Sequence, residues 1–222
     1  MMIEAERDII STGCDTRPQR SDLQQPLLRA EASVECADAI DLRPNLVVLV
    51  AGCGAIGLVS VALLPWPVAV ASTVLGALMI AGAEVDARTF LLPDVVTYGA
   101  AGCGILAAAA LDPNHPWQAM ATALARGAGV ALLLAAIRWC YARQREREGL
   151  GLGDIKLSAA VGAWLPIEFI PWCFGLAASG ALIAVMFARL RGESIDATMK
   201  IPFGAFLCPA LWLAFYASVL PS

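Results

Sequence analysis

The chain has 222 residues, of which 59% are hydrophobic and 15% are charged, and its mean hydropathy is +0.71. Soluble domains are only about 45–50% apolar, so this composition excludes an ordinary soluble fold and favours a protein that crosses a membrane several times. The net charge is −4, and no basic cluster indicates binding to nucleic acid.

The charge is unevenly distributed. Residues 1–44 carry nine acidic residues and five arginines, whereas the rest of the chain is neutral. The first segment is too acidic for a secretory signal, and its first apolar run starts only near Asn45. We therefore predict two parts: a polar, mostly disordered cytoplasmic tail over residues 1–44, and a membrane domain over residues 45–222.

Apolar runs and short polar breaks alternate through the second part. The runs cover 46–64, 68–85, 95–111, 118–142, 155–166, 168–190 and 202–220. Most approach the roughly 20 residues that span a bilayer. The run at 155–166 is short for a full span. The pattern predicts an all-α bundle of about seven transmembrane helices, with six as the alternative.

Lysine and arginine alternate along this pattern. They occur in the tail and around residues 88, 145 and 195, but not in the breaks at 65–67, 112–117 and 166–168 or after residue 220. The positive-inside rule then predicts a cytoplasmic N-terminus and a C-terminus on the far side of the membrane. The alternation holds only if all seven spans are counted.

Acidic residues near membrane helices are costly and therefore suggest function. Asp86 ends the second predicted span and Asp154 starts the fifth, so the topology brings both to the cytoplasmic face. Glu84 lies on nearly the opposite face of its helix from Asp86, and we expect it to have a structural role at the interface. Arg126, inside the fourth run, either snorkels outward or pairs within the bundle.

Two facing carboxylates can share a proton, so that one activates water while the other donates a hydrogen bond to a peptide carbonyl. This is acid–base hydrolysis without a metal or cofactor, and we predict neither. No pair of the seven cysteines has CxxC spacing, and the single His115 lies across the membrane from the acids, so no Ser/His or Cys/His set competes.

Glycines precede the second aspartate in the stretch GLGLGDIKL. Gly151 and Gly153 carry no side chain, so a substrate backbone or a neighbouring helix can approach closely. A purely structural alternative makes Asp154 a helix N-cap after a glycine loop. Asp94, which follows Pro93 and precedes an apolar run, is likewise expected to be a structural N-cap.

These segments resemble the type IV prepilin peptidases, a family of GxGD intramembrane aspartyl proteases. Residues 151–154 match GxGD, and the surrounding segment, which includes Lys156, resembles the family's second-aspartate segment. DARTFLLPDVVT resembles its first-aspartate segment, with Asp86 as the acid and Asp94, after Pro93, in the Pro-Asp position. IPFGAFLCPALWLAF resembles the start of the final span.

The resemblance implies an inner-membrane peptidase that cuts the basic leader from prepilin or pseudopilin precursors, with Asp86 and Asp154 as the catalytic pair. Without the family's CxxC motifs, we expect no methyltransferase activity. Three alternatives are a presenilin-like protease, suggested by Pro-Ala-Leu at 209–211, a proton-coupled transporter or channel, and an inactive scaffold paralogue.

Overall fold

A computed structural model describes residues 45–145, 151–191 and 202–220, so the predicted tail at 1–44 lies outside the described residues. The described part contains seven helices and is otherwise made of turns and loops, which confirms the predicted all-α class. The helices are α1 (Leu46–Leu63), α2 (Trp66–Thr89), α3 (Asp94–Leu111), α4 (Pro116–Arg145), α5 (Leu152–Trp164), α6 (Ile170–Leu190) and α7 (Phe203–Val219).

Five of these helices, α1 to α4 and α6, are long and apolar enough to cross a membrane. The helix α7 is apolar but has 17 residues, and α5 has only 13. Large apolar side chains are exposed along α1, α4 and α6, for example Leu46, Leu132 and Leu182. Such surfaces are stable in lipid and not in water, so the molecule is a multi-pass membrane protein.

The short helix α5 is the most deeply buried element. Its residues 160–164 are all buried, and it packs against α3, α4 and α7. The indole of Trp164 donates a hydrogen bond to the Ala100 carbonyl of α3 at 2.7 Å and meets the Phe215 ring of α7 edge-on at 5.2 Å. These contacts fix the far end of α5, and therefore also the height of its first turn.

The helices α4 and α5 cross at unusually short distance. A Cβ atom built on Gly162 of α5 would lie 2.6 Å from the carbonyl oxygen of Arg126, and one on Gly127 of α4 would lie 2.8 Å from that of Ala159. Small residues are what allow membrane helices to approach this closely. The guanidinium of Arg126 donates to the Gly162 carbonyl at 3.3 Å, so Arg126 pairs within the bundle, which was one of its two predicted roles.

Candidate active site

Asp86 lies one turn before the end of α2, and its side chain points inward with 6% of the residue exposed. Its Oδ2 atom accepts a hydrogen bond from the backbone N–H of Ala205 at 2.8 Å, and the N–H of Gly204 also donates to the carboxylate. The first N–H groups of a helix have no partner within that helix. Asp86 therefore supplies the acceptor that the start of α7 needs.

Asp154 lies in the first turn of α5. The helix begins at Leu152, three residues before the predicted apolar run, and its N-cap is Gly151. Asp154 therefore lies near the N-cap, as predicted, but is not itself the cap residue. The carboxylate instead reaches back to accept the Gly151 N–H, as the third residue of a capping box does. Gly153 places this turn against a loop.

The two carboxylates come together at one end of the bundle. A Cβ atom built on Gly82, one turn before Asp86, would lie 3.2 Å from the thiol of Cys208 on α7 and 3.5 Å from the Leu92 side chain, and Leu92 also contacts Gly153, next to Asp154. The negative charge of Asp86 disfavours the ionised form of Asp154. Three separate helices, α2, α5 and α7, thus converge on one small acidic site. The charge pattern of the sequence alone predicted that Asp86 and Asp154 lie at the same face of the membrane.

The loop between α2 and α3 covers part of this site. Phe90, the C-cap of α2, adopts the left-handed conformation, with φ 55°, and its N–H donates to the Asp86 backbone carbonyl. A Cβ atom built on Gly153 would lie 3.1 Å from Cβ of Leu92. The chain that approaches Gly153 in this structure is therefore the protein's own loop, while Phe90 and Leu91 are exposed.

Pro93, Asp94 and Lys156 form the junction between this loop and α5. Pro93 is the N-cap of α3, and its carbonyl accepts the N–H groups of Val96 and Thr97. Asp94 is thus the first helical residue and not the predicted cap. Its carboxylate pairs with the Lys156 ammonium at 2.5 Å. Two motif residues 62 positions apart in sequence are thus joined close to the start of α5.

Glu84 faces away from Asp86 and Asp154 and has the structural role that the sequence predicted. Its carboxylate accepts the backbone N–H of Asn45, the N-cap of α1, at 2.6 Å, and it lies 3.5 Å from the Arg88 guanidinium. Glu84 therefore joins the start of α1 to the end of α2.

Sequence reasoning missed the contribution of Gly204, Ala205 and Cys208. Their segment was noticed only as the start of a final span. The available signal was the glycine in the first turn of an apolar helix, in IPFGAFL. A glycine there lowers helix propensity, so its presence indicates that another group needs the space.

A water molecule at such a pair of carboxylates could be activated by one acid while the other donates a proton, which is the arrangement of an aspartyl hydrolase. The fold and the site therefore define a class, that of membrane proteins with two acidic groups at one end of a helical bundle.

Comparison with known proteins agrees with this class. Residues 73–188 match the model of the type IV leader peptidase family. The chain is 36% identical to leader peptidase HopD of Escherichia coli over 135 residues, which are 61% of this chain and 84% of that protein. The chain belongs to the type IV leader peptidase family, and the predicted resemblance is confirmed.

Longer relatives match as well. The prepilin leader peptidase/N-methyltransferase of Burkholderia pseudomallei is 34% identical over 180 residues, which are 78% of this chain. The counterpart in Pseudomonas aeruginosa is 32% identical over 139 residues. The chain spans about half the length of these two relatives, 54% and 45% respectively. No solved structure matches the chain.

Proposed function

We propose that this protein is an aspartyl endopeptidase that cuts the basic leader from prepilin or pseudopilin precursors at the cytoplasmic face of the bacterial inner membrane. The observation that carries the proposal is the convergence of Asp86 and Asp154 at one end of the bundle, in a chain of the leader peptidase family. The names of its relatives support the substrate class.

The reaction uses the two carboxylates in complementary states. Ionised Asp86 takes a proton from water, the resulting hydroxide attacks the scissile carbonyl carbon, and protonated Asp154 gives its proton to the carbonyl oxygen. In the collapse of the diol, the C–N bond breaks, the amine leaves with the proton from Asp86, and Asp154 recovers one from a diol hydroxyl. One water is consumed, and both acids return to their starting states.

The position of the pair fits a substrate that lies half in the membrane. An apolar pilin helix would occupy the bilayer while its basic leader remains in the cytosol, so the scissile bond would lie at the interface. Arg88 lies in the last turn of α2, half a turn beyond Asp86, and Arg143 lies near the end of α4. These cations support a cytoplasmic location for this end of the bundle.

Transport by a proton relay would need ionisable groups spread across the membrane depth. Asp86 and Asp154 instead lie together at one end, and the midspan cation Arg126 donates to a backbone carbonyl. This arrangement favours hydrolysis over transport. The absence of methyltransferase activity stays a prediction.

The test is co-expression with a pilin precursor, with leader removal followed by gel mobility and mass spectrometry. We expect Asp86→Asn and Asp154→Asn each to leave the precursor uncleaved, because an amide can neither take a proton from water nor donate one to the carbonyl. Asp112→Asn is the matched control, since Asp112 is exposed in the turn after α3. Normal cleavage by either site variant would disprove the mechanism.

A further inference from the structure

Within the described residues, the start of α7 supplies the hydrogen-bond donors to the Asp86 carboxylate. Ala205 donates its N–H at 2.8 Å, and Gly204 donates a second. A helix N-terminus carries partial positive charge and stabilises an anion placed on it. The backbone of α7 thus orients one carboxylate of the pair and favours its ionised form.

Gly204 is the residue that makes this contact possible. A Cβ atom built at this position would lie 2.8 Å from Oδ2, 3.0 Å from Cγ and 3.4 Å from Oδ1 of Asp86. The distance to Oδ2 is shorter than real Cβ contacts and the distance to Cγ is at the tight limit, so a side chain at position 204 must displace the carboxylate. Helix propensity alone would favour alanine over glycine here, and the proximity of Asp86 explains why glycine is present.

We propose that Gly204 is a positioning residue for the hydrolytic reaction: its missing side chain lets the first N–H groups of α7 hold the Asp86 carboxylate opposite Asp154. This inference rests on the proposed function. It concerns the backbone of the final helix and assigns a role to a residue that does not itself touch the substrate or the attacking water.

The first experiment measures cleavage of a pilin precursor by purified Gly204→Ala protein over a range of pH. The added methyl group must push the carboxylate away by several tenths of an ångström. Because a misplacement of about 1 Å can cost on the order of 10²-fold, we expect kcat to fall by about tenfold. The acid limb of the pH–activity profile should also move to higher pH, because weaker N–H donation no longer favours ionised Asp86. A smaller folded fraction would lower activity equally at every pH and leave the limb in place.

Gly175→Ala is the matched control. Gly175 lies on α6, which packs against α7, and a Cβ atom there would meet nothing within 4 Å. The same substitution at this position should leave the rate and the pH profile unchanged.

A second experiment does not depend on activity. Thermal unfolding in detergent is measured for wild type, Gly204→Ala, Asp86→Ala and the double variant. The added methyl group should raise Tm more in the Asp86→Ala background than in wild type, because alanine improves the helix only when the carboxylate no longer occupies the space. Additive changes in Tm would contradict the contact.

The outcomes separate this inference from the proposed function. Cleavage by Asp86→Asn would overturn the proposed function itself. If Asp86→Asn is inactive while Gly204→Ala cleaves at the wild-type rate with an unmoved pH profile, the catalytic pair stands and the positioning role of Gly204 is wrong.

Discussion

Two carboxylates only two residues apart on α2 have opposite surroundings. Residues at this spacing point about 200° apart around a helix. Glu84 consequently faces α1, where it accepts the Asn45 N–H, while Asp86 faces α7 and is buried. The periodicity of the helix separates a structural acid from a candidate catalytic acid, and the burial of Asp86 makes its backbone donors necessary.

A third acid, Asp94, acts through its ion pair with Lys156. The Asp94–Lys156 pair joins the first residue of α3 to the fifth residue of α5, and the Lys156 ammonium also lies 5.3 Å from the Tyr98 ring centroid. Lys156 follows Asp154 by two residues. The pair therefore restrains the turn that carries the second candidate catalytic acid, although both partners are partly exposed to solvent.

We predict that Lys156→Met lowers the rate of precursor cleavage several-fold while changing Tm little, because exposed ion pairs add little stability but here restrain Asp154. Lys156→Arg should retain most activity. The exchange of charges in Asp94→Lys with Lys156→Asp should recover part of the loss seen with Lys156→Asp alone. Kinetic assays and thermal unfolding on the same preparations check this. A wild-type rate for Lys156→Met would contradict it.

At the scale of elements, α5 is held along its whole length. Its start contacts the loop at Leu92, its second half crosses α4 at Gly162, and its end is anchored through Trp164. A helix of 13 residues is too short to fix itself across a membrane. Its neighbours therefore determine where Asp154 lies relative to Asp86.

The crossing at Gly162 gives a direct test. Gly162→Ala would place a methyl group 2.6 Å from a backbone carbonyl oxygen that cannot move without shifting α4. Overpacking of this kind costs about 1–3 kcal/mol, so we expect a lower Tm together with slower cleavage as Asp154 moves. Gly129→Ala on α4, where a Cβ would meet nothing within 4 Å, is the control. Equal Tm values for the two variants would show that α4 and α5 pack less closely at this crossing than in the structure.

At the scale of the whole molecule, composition and hydropathy predicted the all-α class and the seven helices of the described residues, since lipid-facing residues must be apolar wherever they occur. The alternation of Lys and Arg along the chain also predicted that Asp86 and Asp154 lie at one face of the membrane. The sequence could not predict that α7 supplies the donors to Asp86, because that contact joins residues 119 positions apart. It also misplaced the start of α5. Glycines are typical of loops, but here Gly151 is the N-cap and Gly153 lies in the first turn of the helix.

The orientation of the bundle is the last prediction, and the proposed chemistry depends on it. A basic leader is retained in the cytosol, so Asp86 and Asp154 must face the cytoplasm to reach the scissile bond. We expect truncated fusions ending after Phe90 or Arg191 to give fluorescent green fluorescent protein and inactive alkaline phosphatase.

Fusions ending after Leu64, Asn114 or Leu220 should give the reverse, because these positions lie beyond the opposite ends of the helices. Alkaline phosphatase folds only outside the cytoplasm, so the two reporters control for each other at every junction. An inverted pattern would place both carboxylates on the side that the leader never reaches. Hydrolysis of a prepilin by this pair would then be impossible, even with the geometry of the site intact.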